Sequence, residues 1–121
     1  MARPDRRRHE ARGRLAEAFA AGLLAAKGYA ILATRVRNAA GEIDLVAKRG
    51  RTLVFVEVKL RADIALAGES ILARQRGRIA RAAALFLKAR PDLQCLDARF
   101  DAILLVPWRL PRHVAHAWDA S

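Results

Sequence analysis

The chain has 121 residues, of which 54% are hydrophobic, so it suits one domain with a real core. Its net charge is +11, and 19 of its 23 basic residues are Arg; guanidinium forks match phosphate, so nucleic acid leads over an anionic membrane surface, with a merely soluble basic protein as the plain alternative. The single cysteine, Cys95, excludes a disulfide framework and a thiolate metal site, and is expected to pack as a small apolar residue.

Arg3, Arg6, Arg7 and Arg8 precede an Ala/Leu-rich stretch from Leu15 to Ala26. Glu17 interrupts that stretch, and Asp5 and Glu10 fall within the basic region. A secretory signal core is continuous and apolar, so no signal peptide is expected. No apolar run approaches a membrane span, and a cytoplasmic protein without a membrane partner follows as the expectation. Residues 5–27 read as a helix: Leu15, Phe19 and Leu23 recur at i, i+4 and i+8, with Ala16, Ala20 and Leu24 beside them. Residues 1–10 are basic enough to fray. Gly28 is placed to cap the helix C-terminus. Glu17 lies next to the apolar stripe, where its plain role is a surface carboxylate paired with Arg14 or another Arg.

Tyr29 to Val36 reads as a first strand, Asn38-Ala39-Ala40-Gly41 as a turn, Glu42 to Lys48 as a second strand and Thr52 to Leu60 as a third. Arg61 to Ser70 has no period and reads as a loop. Ser70 is placed to cap a helix from Ile71 to Ala89, with Ile71, Ile79, Ala82, Ala83 and Phe86 inward and Pro91 as its stop. Gln75 stands four residues from Ile71 and from Ile79, so it faces inward as well. Arg74, Arg76, Arg78 and Arg81 crowd this helix; they are either a solvated face or a face that tracks phosphates. A fourth strand lies within Leu96 to Val106. Pro107 and Pro111 break the pattern, and His113 to Trp118 alternates weakly as a short edge strand. His113 and His116 are expected on the surface, and Trp108 and Trp118 in core or edge packing rather than stacked on bases. The order helix, three strands, helix, strand predicts an α/β fold with a mixed sheet: an antiparallel meander, then a crossover helix. The whole chain is expected to be one domain, with 107–121 as a C-terminal extension.

Chemistry concentrates in two apolar runs. Asp44 sits between Ile43 and Leu45, and Glu57-Val58-Lys59 ends the run Leu53 to Val58. Strand side chains alternate, so Glu57 and Lys59 share a face. If the two runs pair as a hairpin across Lys48-Arg49-Gly50-Arg51, Asp44, Glu57 and Lys59 converge. Two carboxylates hold a hard divalent cation, which lowers the pKa of a bound water and offsets charge on a phosphate; the Lys adds a second positive charge. The plain alternative for Glu-x-Lys is a surface ion pair. However, charged groups at the end of so apolar a strand are costly without a use.

These residues resemble the PD-(D/E)xK nuclease superfamily, and more closely the YraN family of small endonuclease-like proteins, which is similar to Holliday-junction resolvases. The carriers are Gly13 to Glu17, Gly28-Tyr29, Gly41-Glu42-Ile43-Asp44-Leu45, Phe55-Val56-Glu57-Val58-Lys59 with Arg61, Gln75-Arg76, and Arg99-Phe100-Asp101. The resemblance implies a restriction-endonuclease-like αβββαβ core, with Asp44 and Glu57 as Mg²⁺ or Mn²⁺ ligands and Lys59 as the catalytic cation. It implies Glu17 as an additional acidic site residue and Gln75 as a polar group facing the site. The sequence departs from the family pattern where Arg74 replaces an expected Lys, and in the loop Leu66-Ala67-Gly68-Glu69.

The leading expectation is therefore a Mg²⁺-dependent, structure-selective endonuclease acting on branched DNA. Arg61, Arg74, Arg76, Arg78 and Arg81 are its expected nucleic-acid contacts, and a homodimer is expected by analogy. The alternatives are a non-catalytic nucleic-acid-binding protein that keeps the nuclease fold, and an interaction protein whose charge serves solubility.

Overall fold

A computed structural model describes the backbone of residues 3–61 and 73–118, and the side chains of 13–61 and 75–118. The expected loop beyond Arg61, the Ser70 cap, Ile71 and the Arg74 side chain lie outside the described residues.

Gly28 stops the first helix, α1 (Arg3–Ala26). It adopts φ +94°. That turn lets the Tyr29 N–H reach Leu24 O and the Gly28 N–H reach Ala25 O, both at 3.0 Å. This is the Schellman pattern, which returns the last carbonyls their partners. Arg49 donates to Lys27 O at 3.1 Å and lays its guanidinium 4.4 Å over the Tyr29 ring, tying the helix end to the sheet.

Three antiparallel strands follow: β1 (Ala30–Asn38), β2 (Gly41–Arg49) and β3 (Thr52–Leu60). Asn38 accepts from the Ala40 N–H and donates to Ala82 O, each at 3.0 Å, so one side chain closes the first turn and anchors it to the second helix. Gly50, at φ +61°, makes the tight turn between β2 and β3. The crossover helix α2 (Ala73–Lys88) and a 3₁₀ turn (Pro91–Leu93) lead to β4 (Asp97–Leu105), which runs parallel to β3. The edge strand β5 (Arg112–Trp118) pairs antiparallel with β4. The sheet order is β1-β2-β3-β4-β5. The fold is α/β with a mixed sheet, consistent with a restriction-endonuclease-like core.

Leu53 to Val56 is buried on both faces, as its unbroken apolar run predicts, each side chain contributing about 1.5–3 kcal/mol. Leu53 and Phe55 join Ile79, Ala82 and Ala83 of α2, whereas Val54 and Val56 join Ala16, Ala20 and Leu24 of α1. The α1 stripe is thus rotated from the expected one. Ala16, Ala20 and Leu24 are buried, while Leu15 and Phe19 are exposed. Small residues let a helix approach a sheet closely, and van der Waals contact rewards that approach over side-chain size.

Three other expectations change. Cys95 is exposed beyond the 3₁₀ turn rather than packed. Trp118 packs on Phe100 as expected, with ring centroids 5.5 Å apart, but Trp108 is fully exposed. The His113 side chain is buried, not at the surface. Its Nδ1 lies 2.8 Å from Lys27 Nζ and its Nε2 lies 2.8 Å from Asp101. An ammonium only donates, so Nδ1 accepts and Nε2 carries the proton to Asp101. Arg99 completes the network with two 2.8 Å bonds to Asp101, and the His116 N–H adds a third donor at 3.0 Å. Burial opposes ionisation of Asp101, but these donors outweigh it and hold the carboxyl below its usual range.

Candidate active site

The β2–β3 ladder begins at Arg49↔Thr52 and stops at Leu45↔Val56. Continued by one step, the same register sets Asp44 opposite Glu57. The strands no longer exchange backbone bonds there, which frees the Val58 N–H. Asp44 Oδ2 accepts that N–H at 2.8 Å. A carboxylate has replaced a ladder carbonyl, and the end of the ladder becomes a polar site.

Glu57 shares the α2 side of β3 with Leu53 and Phe55. Gln75 on α2 donates to Glu57 Oε1 at 3.2 Å, and Lys59 Nζ lies 3.0 Å from the same oxygen. Glu57 and Lys59 are both buried, with 7% and 9% of their surface exposed. The surface ion pair considered for Glu-x-Lys is therefore not what forms. Burial raises the Glu57 carboxyl to about 7, the neighbouring Asp44 charge pushes the same way, and Lys59 opposes both. Burial also raises Asp44, against the pull of the Val58 N–H.

Glu17 approaches from α1. Its Oε1 lies 3.2 Å from Arg35 Nε. That nitrogen makes no well-aimed hydrogen bond, so the contact is an ion pair held by charge. Arg35 stands at φ +52°, in the left-handed region that L side chains seldom adopt. Glu17 is pushed above its usual range by burial first and by Asp44 second. Glu17 thus pairs with an Arg, Arg35 rather than Arg14, and lies beside Asp44 at the acidic cluster.

Two clefts share Asp44 and Glu57. One, of about 270 Å³, opens toward α1 and is lined by Gly13, Ala16, Glu17 and Arg61 among others. The second, of about 300 Å³, opens toward α2 and is lined by Glu42, Gln75, Arg78 and Ile79. A carboxylate pair with a cleft on each side has room for a ligand to pass over it.

The family model for the uncharacterised protein family UPF0102 matches residues 16–105, from within α1 to the end of β4, and takes in Glu17, Asp44, Glu57, Lys59 and Gln75. The chain belongs to UPF0102, the YraN family. It is 56% identical over 113 residues to a UPF0102 protein of Maricaulis maris, covering 93% of this chain and 89% of that one. A UPF0102 protein of Paramagnetospirillum magneticum is 51% identical over 122 residues, with 95% of both chains covered. One from Bradyrhizobium is 52% identical over 109 residues, covering 90% of this chain and 77% of the relative.

Within this UPF0102 chain the expected basic residues divide. Arg61 lines the α1 cleft and Arg78 the α2 cleft, so both border the carboxylates. Arg76 and Arg81 are exposed on α2 and line neither cleft. Two residues escaped the sequence reading as site members. Glu42 lines the α2 cleft, raises Asp44 through its charge, and sits 3.5 Å from Arg37. Strand alternation was the available signal, because Glu42 stands two residues before Asp44. Arg35, which holds Glu17, left no signal, since nothing in the sequence marks a non-glycine at positive φ.

The donor set fits a small hard cation. Two adjacent carboxyls, Glu57 buried and Asp44 half-buried, both raised, are short of positive charge even with Lys59 beside them. Mg²⁺ uses one or two protein carboxylates and keeps several waters. Among the described residues no group of three His, Cys, Asp or Glu side chains is close enough to form an all-protein cage. Among them, too, no helix is long and apolar enough to cross a membrane.

Proposed function

We propose that the chain is a Mg²⁺- or Mn²⁺-dependent endonuclease that hydrolyses phosphodiester bonds in branched DNA. The observation that carries this reading is the convergence of Asp44, Glu57 and Lys59 at the end of the β2–β3 ladder, with both carboxyls raised. Asp44 and Glu57 would hold the cation through their free oxygens. A cation so held supplies a lowered pKa to water and offsets charge on the phosphate. Gln75 fixes the orientation of Glu57, and the Val58 N–H that of Asp44. Lys59 holds a buried positive charge on the same strand face, aimed where a phosphate oxygen becomes more negative. Glu17, steadied by Arg35, faces the α1 cleft as an acceptor for water. Arg61 and Arg78 bring phosphate to either side.

Single-turnover cleavage of branched, flapped and single-stranded DNAs, with protein in excess and with metal or chelator, tests the reading. Lys59→Ala is expected to lose about a hundredfold or more in rate while metal and DNA stay bound, because its interaction is made chiefly in the transition state. Equal rates for the two proteins would move the chemistry to another site. Binding of every DNA without cleavage of any would leave a nucleic-acid-binding protein on a nuclease fold.

A further inference from the structure

The turn after β4 presents an aromatic side chain at some cost. The Arg109 N–H bonds Val106 O at 3.2 Å, closing a four-residue turn. Pro107 holds its second position, and Trp108 holds the third at φ +65°. Pro followed by a positive φ is the pattern of a type II turn, whose third position favours Gly. A Trp there is strained, and it buries nothing in return: Trp108 is 103% and Leu110 91% exposed.

The turn does not stand alone. An apolar cleft of about 210 Å³ at its base is lined by Phe19, Leu60, Val106, Pro107 and Arg109 among others. Leu60 also lines the acidic cleft beside α1, together with Arg61. Apolar surface, basic side chains and the carboxylate pair are therefore continuous. Phe19 of α1 is itself more than half exposed, so a face that a solvated helix would leave polar is apolar here.

We propose that this turn is a stacking platform for unpaired nucleobases of DNA, set beside the acidic cleft. The inference rests on the nuclease reading and adds what the site recognises. Bases of an opened strand stack on Trp108 and cover Phe19 and Leu60, while Arg61, Arg109 and Arg112 face its phosphates. Charge complementarity selects this occupant. The chain carries +11, and arginines stand immediately around the apolar tip. Aromatic stacking within a basic groove is how proteins hold single strands without reading sequence. A stacking platform next to the scissile phosphate directs the chemistry to places where a duplex opens.

The test uses the full chain in chelator, where no cleavage occurs, and labelled DNAs of equal length: a fork with single-stranded arms and a blunt duplex. Trp108→Gly relieves the positive φ, so its melting temperature should equal or exceed that of wild type. It should nevertheless bind the fork about tenfold more weakly, with the blunt duplex changed less than twofold; tenfold is a typical loss for one stacked base. Trp108→Phe should restore most of the fork affinity, and wild-type tryptophan emission should fall as the fork is added. A melting temperature below wild type would mark Trp108 as merely structural and overturn the proposal. Equal fork affinities would overturn it too. So would a wild-type dimer that Trp108→Gly converts to a monomer, which assigns the face to a second copy. The two readings fail separately. DNA bound and never cleaved removes the nuclease, while cleavage of the fork that Trp108→Gly leaves untouched removes the platform.

Discussion

Replacing Glu57 with Gln is expected to make the metal-free protein more stable at pH 8. Above neutral pH, Asp44 and Glu57 carry two negative charges against the one positive charge of Lys59, with Glu57 and Lys59 both buried. The folded chain keeps the Glu57 proton up to about pH 7, whereas an exposed Glu releases it near 4.5. A raised folded-state value contributes stability that is whole below pH 4.5 and gone once the pH passes about 7. At 1.36 kcal/mol per pH unit the interval is worth about 3 kcal/mol. The amide has no charge to desolvate, still accepts from Gln75 and Lys59, and turns an N–H toward Asp44. It should therefore recover about 1–3 kcal/mol at pH 8, a rise in Tm of about 4–12 °C, and nothing at pH 4.5. Thermal unfolding of both proteins in chelator at the two pH values measures this. Mn²⁺ should then raise the wild-type Tm at pH 8 and leave the variant unmoved, since binding to the native state alone is what stabilises. A variant less stable than wild type at pH 8 without metal would refute the excess-charge argument. An equal Mn²⁺ response in both would refute the ligand assignment.

Asp44→Asn should likewise abolish Mn²⁺ binding by calorimetric titration, because affinity for a hard cation follows ligand charge; unchanged affinity there and in Glu57→Gln would remove the metal site. Arg61→Ala with Arg78→Ala should flatten the salt dependence of DNA binding by roughly 0.9 in log–log slope for each lost phosphate contact on duplex DNA, while Arg76→Ala with Arg81→Ala should change it less; equal slopes for the two pairs would move the DNA path away from the clefts. Asp101→Asn strands the Arg99 guanidinium without its counterion and weakens the acceptor of the His113 Nε2–H, and should cost about 3–5 kcal/mol at pH 7 by denaturant unfolding. Because the Asp101 carboxyl is held below its ordinary 3.8, its stabilisation is present above that pH and fades below it. The gap between the two proteins should therefore narrow at pH 3, and a gap of constant size would contradict the assignment.

Much of this protein is determined locally and is legible in the chain. The run Leu53 to Val56 is apolar on both faces, so it becomes a central strand, and β3 begins and ends where its sequence says. Gly28 stops α1 because only a residue free of Cβ strain turns left-handed there at little cost. A tight turn at Gly50 fixes the β2–β3 register, and alternation then aligns Asp44, Glu57 and Lys59 with no knowledge of the rest. Gln75 follows from helical spacing in the same way. The remainder was decided by what meets what. Leu15 and Phe19 match a helical apolar stripe as well as Ala16, Ala20 and Leu24 do, and only the close approach of the sheet selects the smaller set. His113 is polar and near the end of the chain, yet Asp101 of β4 and Lys27, just past α1, hold its two ring nitrogens from distant parts of the sequence. Trp108 and Trp118 look alike in sequence; one finds Phe100 across the β4–β5 pair, and the other finds only solvent. Asp44 as a carboxylate can be read from its letter, but its hold on the Val58 N–H exists because the β2–β3 ladder stops one pair earlier. Periodicity and turn chemistry act over a few residues. Burial, charge pairing and the end of a ladder depend on neighbours brought together from distant parts of the chain.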